Sequence, residues 1–181
     1  VWEVVAPEEV ADADVVARLA LPTLLEQAEE RGLSTGIVST ARITHATPAA
    51  AYAHTPNRDW EAAVQVPAAT LPDIAAQLIA RQTAGDGIEV VLGGGREFFT
   101  AASASDPEYP QRAGRRRDGR NLLEEWTKAQ PQSIYVWKRD DLLRVDAKGT
   151  KHLLGLFEPS HMRYEADRAL GCVERSLGAV G

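Results

Sequence analysis

Apolar and polar positions follow two rhythms along this chain. Leu24, Leu25 and Ala28 make a helical stripe through PTLLEQAEERG, with Pro22 where a first helical turn tolerates proline and Gly32 as its C-cap. A short β-branched run follows at 36–39, GIVS, and reads as a strand. Within HATPAAAYAH, Pro48 begins a helix that Ala49 to Ala53 continue. Residues 71–80 form another helix, with Ile74, Ala75, Leu78 and Ile79 on its apolar face and Gly85 and Gly87 ending the region. IEVVLGGG is then a strand running into three glycines. A helix over NLLEEWTKA starts after the Asp118-Gly119 turn, with Asn121 and Glu124 at capping-box spacing. SIYVW and HLLGLF are two more strands.

Helices alternating with short apolar strands define an α/β fold with a largely parallel central sheet. Residues 1–20 are acidic and rich in Val and Ala, and show no clean period. No internal repeat or low-complexity segment interrupts the pattern. The loop at 100–120 is long for a compact domain, which marks it as functional or as a surface insertion.

Composition narrows the function class. A chain of 181 residues can bury one real core, and its 44% hydrophobic and 25% charged residues are ordinary for a globular protein. The formal net charge of −6 argues against nucleic acid as a partner. Arg112, Arg115, Arg116, Arg117 and Arg120 form one basic cluster, read as a solvated loop or as a phosphate- or partner-binding patch. The single cysteine, Cys172, excludes an internal disulfide and a multi-cysteine zinc site. No apolar run is long enough to span a bilayer, and no signal peptide is visible.

In a parallel α/β sheet, ligands gather at the carboxyl ends of the strands. Three such ends carry candidate chemistry: Thr40 and the segment after it, Gly93–Gly95, and Phe157 with Glu158. After the first come His45, Thr47, His54 and Arg58. A threonine hydroxyl is a hard oxygen ligand suited to magnesium. A guanidinium offers a planar fork that matches two phosphate oxygens. On spacing alone, Thr47 and Arg58 read first as surface or capping residues. The triple glycine reads as a tight turn with a mobile backbone, and no Gly-Lys-Ser/Thr follows to make it a phosphate loop.

As a string, STGIVSTARITHATPAAAYAHTPNRDW resembles the stretch that supplies magnesium and phosphate ligands in alkaline phosphatases. VVLGGGREFF, DPEYP, RRDGRNLLEEW, YVW and LLGLFEPSHMRYE resemble further family segments in the same order. The resemblance is to the animal-like branch and covers about residues 21–168, leaving 1–20 and 169–181 as non-matching flanks. It implies a partial alkaline-phosphatase-like sandwich with a central, mostly parallel sheet, truncated at both ends. Thr47 is then a magnesium ligand, His45 acts on magnesium through a bound water, and Arg58 grips the two non-bridging oxygens of the substrate phosphate. His54 is structural. The branch's calcium site maps to Glu108, the Phe157 carbonyl and Glu158, which also read as plain loop groups; a further acidic ligand past residue 168 has no match. The resemblance also implies a homodimer and a periplasmic or extracellular location.

The family hydrolyses phosphate monoesters through a phosphoserine formed at an Asp-Ser pair, with two zinc ions. Neither an Asp-Ser nor an Asp-His dipeptide occurs in this chain. The chain alone is therefore expected to be inactive. The abrupt loss of similarity at both ends is the mark expected of reading-frame shifts, with divergence as the competing account. Without its neighbouring strands the sheet is expected to be marginally stable or to self-associate. Two other readings stand beside this one: a non-catalytic phosphate- or partner-binding module, and an interaction piece working through the 100–120 loop.

Overall fold

The computed structural model describes residues 11–63, 69–83 and 86–167. Residues 1–10, Gly85, Cys172 and the 169–181 tail lie outside the described residues.

Among the described residues four strands form the sheet: β1 (Gly36–Arg42), β2 (Val90–Gly94), β3 (Ser133–Val136) and β4 (His152–Leu156), in the order β1-β2-β4-β3. Every pairing is parallel. β1 runs in register with β2 from Gly36↔Val90 to Val38↔Leu92, then shifts before Arg42↔Gly94. That shift falls where β1 leaves the sheet toward its chemistry-bearing loop. The helices are α1 (Ala13–Leu19), α2 (Leu24–Glu29), α3 (Ala46–Ala49), α4 (Ile74–Thr83), α5 (Leu122–Ala129) and α6 (Arg139–Leu142), with 3-10 turns at Arg96–Phe98 and Glu165–Asp167.

The core lies where α4 and α5 meet the sheet. Ile74, Ala75 and Leu78 of α4, and Leu122 and Trp126 of α5, pack with Ile37, Val91, Leu154 and Leu156 of the strands. These are the apolar positions of the helical and strand rhythms, brought into one cluster. Trp126 is wholly buried, and its indole N–H donates to the Ile134 carbonyl at 3.2 Å.

Several boundaries differ from the sequence reading, each for a local reason. α2 starts after Thr23, so Pro22 precedes the helix instead of occupying its first turn. Thr23 and Glu26 form a full capping box there. α3 ends at Ala49, because Tyr52 turns inward and its hydroxyl donates to the Ile43 carbonyl at 3.0 Å. Pro48 sits within the first turn of α3 instead of opening it. α4 begins at Ile74, since the Asp73 carboxylate accepts the Ala76 N–H at 3.0 Å and caps the first turn. The acidic N-terminal stretch contains α1, capped by Asp12. Asn121 does cap α5 by accepting the Glu124 N–H.

The three glycines after Leu92 mark close packing. A side chain at Gly94 would fall on the Ser160 carbonyl oxygen. Gly95 has φ 99°, a left-handed conformation that glycine adopts without penalty. Its N–H donates to the carbonyls of Glu158 and Ser160 at 3.0 and 2.9 Å. The end of β2 is thus fastened to the loop after β4, and the expected mobile turn is instead a clamp.

The basic cluster is likewise not a uniformly solvated loop. Arg116 is buried and donates through Nη1 and Nη2 to the Asp73 carboxylate at 3.0 and 2.9 Å, and also to Asp118. Arg115 pairs with Glu97 at 2.7 Å, and Arg120 with Glu125 at 2.5 Å. A buried guanidinium needs paired carboxylates, and the sequence pattern did not show where they lay. Among the described residues, no helix is long and apolar enough to cross a membrane.

Candidate functional site

The carboxyl ends of β1, β2 and β4 converge, as parallel-sheet topology leads one to expect. β1 delivers Arg42, Ile43, Thr44 and then His45, the N-cap of α3, with Thr47 exposed in the first turn of that helix. His45 makes no side-chain capping bond. Its Nε2 instead accepts from Nη2 of Arg58 at 3.0 Å. Arg58 is exposed on the loop after α3, so its guanidinium is open to a ligand. The structure therefore brings together three expected residues, His45, Thr47 and Arg58, at one strand end. His54 stands apart. Its Nε2 lies 3.0 Å from Glu26, which also pairs with Arg81, so it ties α2 to the segment between α3 and α4. Burial opposes the Glu26 charge, but the Thr23 N–H, His54 and Arg81 outweigh it and hold the carboxyl below its usual range.

Beneath this surface lies a set of groups that sequence reasoning missed. Arg42 is gripped by Glu61 through Nε at 2.9 Å and Nη2 at 2.8 Å. Thr44 donates to the same carboxylate at 2.5 Å. Arg42 also lies over the Phe98 ring at 5.3 Å, with Arg115 over the same ring at 5.2 Å. From the loop after β4, His161 places Nε2 2.7 Å from Nη1 of Arg42 and Nδ1 3.2 Å from the Arg42 N–H. The two imidazoles, His45 and His161, meet edge to face at 5.0 Å between ring centroids. Burial, then the Arg42 guanidinium and the neighbouring His45 ring, pushes the His161 imidazole below the usual histidine range. Buried Tyr52, behind the site, is pushed well above the usual phenol range by burial, then by Glu61 and Asp73. Glu61 could have been suspected only from its place three residues after Arg58. Nothing in the sequence pairs it with Arg42.

Glu108, Phe157 and Glu158 lie at a second corner, organised by buried Arg96. Its Nε and Nη2 donate to Asp106 at 2.7 and 2.9 Å, Nη2 also to Glu108 at 3.2 Å, and Nη1 to the Leu156 carbonyl at 2.9 Å. The indole of Trp137 covers the guanidinium at 5.3 Å. Glu158 accepts from the Tyr109 hydroxyl at 3.2 Å, and the Phe157 N–H donates to Gly93 at 2.8 Å. Burial opposes the Asp106 charge. The Arg96 guanidinium and the N–H groups of Glu108 and Tyr109 outweigh it and hold the carboxyl below the usual aspartate range.

The donor sets can be compared with the metals implied. Among the described residues, no group of three or more His, Cys, Asp or Glu is arranged to hold a metal ion. Thr47, exposed, and His45, half-buried, stand on one turn, where the threonine hydroxyl is a hard oxygen of the kind magnesium takes. At the second corner a hard cation would meet two carboxylates, one of them already bonded to a guanidinium, so that donor set is incomplete for calcium.

Comparison with known proteins defines the class. The alkaline phosphatase family model matches residues 12–172, and the chain belongs to this family. It is 44% identical over 156 residues to the tissue-nonspecific alkaline phosphatase of Gallus gallus, covering 81% of this chain and 30% of that protein. It is 41% identical over 155 residues to an alkaline phosphatase of Gadus morhua, covering 81% of this chain and 32% of that one. In structure it resembles the crystal structure of Thermus thermophilus alkaline phosphatase, with a TM-score of 0.56 and 32% identity over 80% of this chain and 24% of that one. The chain thus spans about a third or less of the length of the curated relatives it matches.

Proposed function

We propose that this chain is the phosphate-gripping part of a phosphate-monoester hydrolase of the alkaline phosphatase type. The observation that carries this reading is the exposed Arg58 guanidinium held against His45 at the carboxyl end of β1. Arg58 binds two phosphate oxygens through its planar fork. Thr47 and His45 would hold magnesium, Thr47 directly and His45 through water. Bound there, the ion would supply positive charge next to the phosphate. Glu108, the Phe157 carbonyl and Glu158 map by family analogy to a calcium corner, but with Arg96 already on Glu108 they make an incomplete donor set, and no role is given to calcium here.

Neither the Asp-Ser pair of the family's nucleophile nor an Asp-His pair occurs in this sequence. Phosphoryl transfer depends on positioning and charge stabilisation by the complete set of groups. The chain alone therefore binds phosphate weakly and turns nothing over. Residues 21–168 are the core of the family-like unit, inside the 12–172 that the family model matches. Export to the periplasm or the extracellular space, and pairing as a homodimer, complete the reading by family. The test is an assay of the full chain on a generic aryl phosphate with magnesium and zinc supplied. No release of phenol above background is expected. Turnover that disappears in Arg58→Ala would overturn the proposed inactivity.

A further inference from the structure

We propose that His161 is a positioning residue of this site: its ring fixes the plane of His45, and through it the Arg58 guanidinium. The inference rests on the phosphate-gripping role of Arg58. His45 sits at a helix N-cap without a capping bond, so the backbone does not fix its ring. Among the described residues two groups bear on that ring: the edge of His161 and Nη2 of Arg58. Arg58 is exposed and has no rigid support of its own. His161, although also exposed, is the member of the three tied to the sheet on both sides.

Three contacts hold it. The Met162 N–H donates to the Thr40 carbonyl at 2.9 Å, fastening the loop to β1. The Ser160 carbonyl accepts the Gly95 N–H at 2.9 Å, fastening it to β2. Arg42 bonds the ring itself, and Arg42 is locked by Glu61 and Phe98. Arg42 meets the ring at both nitrogens, its guanidinium at Nε2 at 2.7 Å and its backbone N–H at Nδ1 at 3.2 Å, so the ring is fixed in plane as well as in place. A chain of support therefore runs from Glu61 through Arg42 and His161 to His45 and Arg58. A guanidinium held in one place loses less freedom when it closes on phosphate, so positioning it raises affinity.

The experiment uses the full chain with nitrogen-15 label, and reads the His45 ring and Arg58 Nε–H resonances first without ligand and then during titration with inorganic phosphate. His161→Asn keeps a polar partner for Arg42 but removes the ring, whereas His161→Phe keeps a ring. The proposal expects His161→Asn to shift or broaden the ligand-free His45 and Arg58 signals and to weaken phosphate binding by about tenfold. His161→Phe should stay close to wild type in both. Unchanged ligand-free signals in His161→Asn would overturn the proposal, as would equal perturbation by Asn and Phe. Failure of the wild type to bind phosphate would instead sink the role given to Arg58, while the ligand-free signals still judge His161.

Discussion

Arg58 and His45, thirteen residues apart, meet through a guanidinium-to-imidazole hydrogen bond of 3.0 Å at the carboxyl end of the first strand. The contact joins the group read as the phosphate grip to the group read as a magnesium partner. It exists because α3 is only four residues long, and the chain turns back at Tyr52 to bring Arg58 over the N-terminus of that helix. A longer helix through Ala53, as the alanine run suggests, would carry Arg58 away.

The Arg116–Asp73 pair holds the 100–120 loop against the N-terminus of α4. Removing the guanidinium leaves a buried carboxylate without its counter-charge, which costs about 3–5 kcal/mol in typical buried pairs. Arg116→Ala should therefore lower the urea midpoint sharply or prevent folding. Arg117→Ala, on an exposed neighbour, should stay within about 0.5 kcal/mol of wild type. Equal effects from the two would contradict the buried-pair account.

At Gly94 the backbone of β2 lies against the Ser160 carbonyl, with no room for even a methyl group. Gly94→Ala should destabilise the chain by roughly 1–3 kcal/mol, as overpacking does. It should also disturb His161, because that residue follows the displaced carbonyl. Chemical denaturation gives the first effect and the His161 ring resonances the second. A fully stable variant with an unshifted His161 would contradict the clamp.

Acid should unfold the chain through Asp106. Its folded carboxyl titrates below the ordinary value of 3.8, held down by Arg96 and two backbone N–H groups. A depressed folded value gives stability that is present above the unfolded value and lost as pH falls through the folded one. The Asp106 contribution should thus be complete above about pH 5 and be lost below about pH 4. Asp106→Asn should flatten that fall while lowering stability at neutral pH. An unchanged acid limb in Asp106→Asn would show that other carboxylates carry the effect.

The fold was legible where periodicity and packing agree. Ile74, Leu78 and Trp126 fall on helical stripes and end in the core, and GIVS, VVLG and HLLGL are the strands they cover. The helix ends were less legible, because capping by Thr23 and Asp73 competes with proline and alanine signals nearby. His45, Thr47 and Arg58 were readable as one ordered string. Their support was not. Arg42 and Glu61 look like ordinary surface charges in sequence, and His161 lies 119 residues from Arg42, so only the folded sheet brings them together. The same holds for Arg116 and Asp73, whose partnership turns a basic run into a buried strut.

The central claim is that Arg58 grips phosphate, and titration of the full chain with inorganic phosphate, followed by phosphorus-31 resonance with and without magnesium, tests it most directly. The account predicts weak, saturable binding that magnesium strengthens. It also predicts a loss of about tenfold or more in Arg58→Ala, as expected when a charge-assisted pair of hydrogen bonds is removed. Binding that does not saturate, or that survives Arg58→Ala unchanged, would contradict it.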